Sequence, residues 1–114
     1  MRDYFKEEKE RIAVENTLLE NEKKQVEIQK TIIGELDDAW SIVQRCQANA
    51  LEANEELAVR YDPILKLIGH VRGLHEDSIK AKQKSITEHI ECIYNLEFYI
   101  SDVLAHCDEE DEDF

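Results

Sequence analysis

One series of positions constrains this chain more than any other. Phe5, Ile12, Leu19, Val26, Ile33, Trp40, Gln47, Asn54 and Tyr61 follow one another at intervals of seven without a skip. A seven-residue recurrence of mainly apolar side chains keeps one seam of an α-helix facing a partner helix, as one core position of a coiled coil does. The spacing predicts a first helix over about residues 5–61. The companion core position reads Glu8, Glu15, Glu22, Gln29 and then Leu36, Val43, Ala50, Leu57, so only its second half predicts a good apolar seam. Polar Gln47 and Asn54 either fix register or face water near the helix end. Gly34 is the alternative place for a break, although the register holds on both sides of it.

Asp62-Pro63 is the strongest punctuation in the chain. Proline removes a backbone donor and biases its predecessor away from helix, yet suits a first helical turn. Asp62 is expected as an N-cap, with a turn at 62–63 and a second helix over about 63–107. With only 3 Gly and 1 Pro, turn-rich β structure is disfavoured. The expected fold is all-α: a long antiparallel helical hairpin of coiled-coil type, assembled into a helical-bundle dimer, with residues 1–107 as one domain and 108–114 as an acidic mobile tail. A hairpin folded at Pro63 sets Ile93 near Thr31 and Ile100 near Lys24.

Two surpluses of apolar surface point to self-association. In the first helix Val14, Leu18, Ile28 and Ile32 form a second edge roughly opposite that of Ile12, Leu19 and Val26. In the second helix, apolar residues from Ile86 to Leu104 cover almost the whole circumference, a pattern of helices buried on several sides. Leu19, Val26, Ile33, Trp40, Ile86, Ile93, Ile100 and Leu104 are the residues expected to carry assembly, a dimer first.

The formal charge of −13 is local. Residues 1–34 carry 7 basic and 8 acidic side chains and residues 63–107 carry 5 and 6, whereas residues 35–62 carry 2 and 7. The final seven residues, Asp108-Glu109-Glu110-Asp111-Glu112-Asp113-Phe114, hold six acids and no base. Such a run repels itself as a helix and is expected to be a mobile peptide that binds a protein with a basic surface. Lys80, Lys82 and Lys84 are an alternative receiver for it on a neighbouring subunit. These seven residues resemble the C-terminal tails of bacterial and some phage single-stranded DNA-binding proteins. That resemblance implies a terminal Phe in an apolar pocket, its carboxylate on a basic side chain, and acids that steer approach. It covers seven of 114 residues, and nothing upstream resembles that family's oligonucleotide-binding β-barrel.

Chemistry has little support. His70, His75, His89 and His106 have no His or Cys at i, i+4, and His89 with Cys92 makes only half a metal site. No spacing proposes a nucleophile with its base, and Gly69 to Gly73 lacks the strand and Lys-Ser/Thr of a phosphate loop. Catalytic residues, metal ligands and cofactors are therefore expected to be none. No direct nucleic-acid binding is expected, for want of a basic stripe. No run of 18 apolar residues is present, and the first eight residues lack the apolar stretch of a secretory signal. Three cysteines without CxxC spacing suggest free thiols and a cytoplasmic location, or a nuclear one in a eukaryote. The function expected is a non-enzymatic assembly adaptor. The alternative is an acidic inhibitor, of phage or mobile-element type, that imitates nucleic acid in the site of a binding enzyme.

Overall fold

The computed structural model describes the backbone of residues 4–110 and the side chains of residues 4–106. It contains α1 (Lys6–Ala53), the short α2 (Glu55–Val59) and α3 (Asp62–Glu110), with no strand among the described residues. The all-helical expectation therefore holds. Two compact units divide the chain: residues 1–24 with 83–114, and residues 25–82.

Each unit is an antiparallel pair of segments from α1 and α3. In the first unit Phe5 meets Tyr99 edge to face, with ring centroids 6.2 Å apart, and Glu22 meets Ser85. In the second, Asp37 meets Arg72 and Gln47 meets Asp62. The heptad series of the first helix supplies the α1 seam, with Phe5, Leu19 and Val26 buried and Ile12, Ile33, Trp40 and Gln47 half-buried. On α3 the matching stripe runs through Leu65, Ile79, Ile86, Ile93 and Ile100. α1 passes through Gly34 without a break, because the space around that glycine is open and one interior glycine costs only about 1 kcal/mol.

The turn falls earlier than the sequence suggests. α1 ends at Ala53 and not near Tyr61, because Asn54 takes extended backbone angles (φ −160°, ψ 109°) and its side chain accepts from Glu56 N at 3.0 Å. An asparagine that satisfies an orphan N–H in this way is among the best N-caps. Pro63 falls inside the first turn of α3, where its missing donor costs nothing. Asp62 lies in that same turn, and its carboxylate accepts from Gln47 Nε2 at 2.7 Å. Gln47 also donates to the Ala58 carbonyl at 3.0 Å, so this polar heptad residue straps the hairpin closed.

The earlier turn moves the register. Pairs such as Glu15 with His89 and Asp37 with Arg72 are centred near residue 54, not on Pro63. Ile93 and Ile100 therefore lie opposite the first turns of α1, as the contact of Tyr99 with Phe5 requires, and not beside Thr31 and Lys24. Near the turn, Gly69 faces Trp40: a Cβ there would stand 3.8 Å from Trp40 Cζ3, an ordinary contact distance.

Candidate functional site

Two features stand out, a polar seam and an uncharged outer side. The seam comes from the companion heptad position of α1, at Glu8, Glu15, Glu22 and Gln29, and from His75, Lys82 and His89 of α3, also seven residues apart. These residues occupy the layers that apolar side chains fill elsewhere along the two helices.

In the first unit His89 is the centre. Its Nδ1 contacts a carboxylate oxygen of Glu15, and its Nε2 lies 3.4 Å from Glu22 Oε1. Ser85 Oγ donates to that same Glu22 oxygen at 2.8 Å. The His89 and Glu15 side chains are only 18% and 16% exposed, so the pair is shielded from solvent. The hydrogen bond to Glu15, partly opposed by desolvation and aided by the nearby charges of Glu15 and Glu22, raises the His89 pKa above its ordinary value. Glu8 Oε2 and Glu22 Oε2 are buried without a hydrogen-bond partner.

The second unit has a counterpart built around a lysine. Lys82 Nζ donates to Gln29 Oε1 at 2.9 Å and lies 3.3 Å from Ser78 Oγ, while Gln29 Nε2 is 3.4 Å from His75 Nδ1. Lys82 is thereby withdrawn from the cluster it forms in sequence with Lys80 and Lys84. Arg72 reaches out of the seam to Asp37 at 2.6 Å and to Glu76 at 2.5 Å. Around this group one side of the unit carries Glu27, Lys30, Asp38, Lys66, Asp77 and Lys80.

The other side of the same unit is different. Ile28 and Ile42 of α1 and Ile64, Leu67 and Leu74 of α3 are exposed there, with Leu67 at 60% and Ile28 at 59%. Half-buried Ile32 and Val71 continue the apolar surface inward. On α1 this side also holds Gln25, Ala39 and Cys46 and one charge, Glu35; on α3 it adds only Ser78 and Ala81. The corresponding heptad positions of the first unit mix charge with apolar side chains, with Glu7, Arg11, Val14 and Leu18 on α1 and Glu88, Asn95, Tyr99 and Asp102 on α3. The exposed apolar residues there include Val14 and Leu18 of α1 and, on α3, Ile90, Tyr94 and Phe98 at four-residue spacing, with the Tyr94 and Phe98 rings stacked at 6.5 Å.

Most residues expected to carry assembly serve the chain's own seam. Leu19 and Val26 are buried within it, and Ile33, Trp40, Ile86, Ile93 and Ile100 are half-buried along it. Leu104 alone of that set is exposed. The seam claims the others because the register brings two apolar heptad stripes together. Of the residues named for partner binding, Asp108, Glu109 and Glu110 continue the backbone of α3, and Asp111, Glu112, Asp113 and Phe114 lie outside the described residues.

Among the described residues no group of three or more His, Cys, Asp or Glu side chains is placed to hold a metal ion. No helix there is long and apolar enough to cross a membrane. Cys46 is exposed and Cys92 half-buried, both as free thiols. No family model, curated protein or solved structure matches this chain.

The polar seam was missed as a site because its α1 members look like a failed hydrophobic series. The available signal was the matching seven-residue spacing of His75, Lys82 and His89. A search for metal pairs at i, i+4 passes over it.

Proposed function

We propose that this protein is a non-enzymatic helical adaptor, which self-associates through its helices and offers the acidic segment Asp108–Phe114 to a partner with a basic surface. The supporting observation is surplus surface. The chain exposes 8744 Å² at a mass of 13.4 kDa. A compact monomer of that mass exposes about 6,500 Å², so this chain presents roughly 2,200 Å² more surface than a compact one. That surplus exceeds the ~800 Å² per partner of a standard protein interface. The exposed Cys46 thiol fits a reducing compartment such as the cytoplasm.

Light scattering across a concentration series tests the first half. Association that grows with concentration supports the reading, and a strict monomer at every concentration defeats it. A pull-down comparing the intact chain with one ending at residue 107 tests the second half. Loss of a bound protein on truncation supports the docking segment, while an unchanged set of bound proteins removes it. Release of that protein by competing DNA points to nucleic-acid imitation instead.

A further inference from the structure

We infer that two copies meet through the uncharged side of the 25–82 unit, each covering the other's Ile28, Ile42, Ile64, Leu67 and Leu74. This rests on the self-association proposed above and adds where it happens and what is on the other side.

Three observations carry it. The first is the contrast between the two sides of one unit. Arg72, Asp37, Glu76 and Lys30 crowd one side with ion pairs, whereas the other has a single charge, Glu35. Charged residues are depleted from the centres of interfaces because their desolvation is costly, so a long uncharged side flanked by charge marks the surface that is covered.

The second is that both helices contribute. Ile28 and Ile42 lie two heptads apart on α1, and Leu67 and Leu74 lie one heptad apart on α3. The result is a ridged two-helix layer and not a single groove. A groove would suit one inserted peptide or helix, but a layer of two ridges is matched by another layer of the same kind, giving four packed helices. A second copy supplies that layer, and a two-fold axis makes the patch its own complement.

The third is the charge of the occupant. An acidic or basic partner would find nothing to pair with on this side except Glu35. An identical uncharged layer needs no such pairing. In the first unit Glu7, Arg11, Glu88 and Asp102 interrupt the corresponding side with charge, beside exposed Val14 and Leu18.

The test is sedimentation equilibrium on the full chain and on Leu67→Glu, Glu35→Leu and Tyr94→Glu, with helix content followed by circular dichroism. Leu67 is exposed in the single chain, so a glutamate there leaves the hairpin intact. Leu67→Glu is expected to weaken association by about 30-fold or more, the scale of an interface hot spot. Glu35→Leu is expected to tighten it, and Tyr94→Glu in the other unit to leave it unchanged. An associating chain that is indifferent to Leu67→Glu, or one dissociated by Tyr94→Glu alone, overturns this inference and leaves self-association standing. A chain that is monomeric throughout removes both.

Discussion

His89 reaches two carboxylates of the facing helix one heptad apart, touching Glu15 through Nδ1 and lying 3.4 Å from Glu22 through Nε2. The imidazolium therefore satisfies two α1 layers at once. Its raised pKa makes the contact pH-dependent in a definite sense. The contribution to stability is complete below the unfolded value of about 6.5 and is lost as pH rises through the higher folded value. Thermal unfolding of the protein should show a midpoint that falls as pH rises from about 6.5 through the folded pKa. In His89→Gln that part of the slope should vanish; a variant retaining the full slope would exclude His89 as its source.

Glu8 gives the opposite lesson. It occupies a seam position beside Leu96 and Tyr99, with Oε2 buried and unpartnered. An unsatisfied buried polar atom costs about 1–3 kcal/mol, while leucine at such a position packs with its neighbours. Glu8→Leu should stabilise the protein by about 1 kcal/mol in urea denaturation. Destabilisation would mean that Glu8 has a role in the seam beyond its contacts here.

Gly34 and Gly69 are helical glycines with room for a methyl group. Nothing lies within 4 Å of a Cβ built at Gly34, and at Gly69 the nearest atom is Trp40 Cζ3 at ordinary contact distance. Alanine gains up to about 1 kcal/mol over glycine inside a helix. Both alanine variants should raise the unfolding midpoint, Gly69→Ala also adding contact with Trp40. A large loss in Gly69→Ala would show that the helices approach more closely than 3.8 Å implies.

Asn54 controls the hairpin's break through its bond to Glu56 N. Asn54→Ala should cost about 1 kcal/mol by loss of the cap. Asn54→Leu should do more, since it restores an apolar residue to the heptad series and favours one helix running from α1 through α2. Exchange of long helices between copies is then expected, seen as a slowly dissociating dimer on size-exclusion chromatography. A variant with unchanged elution and stability would show that Gln47 and its bonds to Ala58 and Asp62 suffice to hold the turn.

These residues also show what could be read in advance. The apolar heptads from Phe5 to Trp40 disclosed the seam of α1, because spacing alone decides which side of a helix is hidden. The location of the turn was harder to see. Pro63 is conspicuous in a sequence but harmless in a first helical turn, whereas Asn54 sat in heptad step and looked like a core position. Misplacing the turn shifted the expected register, and the observed register sets Ile86, Ile93 and Ile100 half-buried along the chain's own seam. Surplus apolar surface was legible in Ile28 and Ile32. Its extent depends on which α3 residues share their side, and that follows only from the register.

The polar layers at Glu15, Glu22 and Gln29 act as teeth against sliding. Two purely apolar heptad seams can shift by seven residues and still match. Here a slip of one heptad in one direction would bring Lys82 toward the apolar layer of Leu36, and in the other direction Ile68 toward Gln29. Either shift strands a polar group in an apolar layer, so the alignment that sets Glu15, Glu22 and Gln29 against polar residues of α3 is the one the two helices keep.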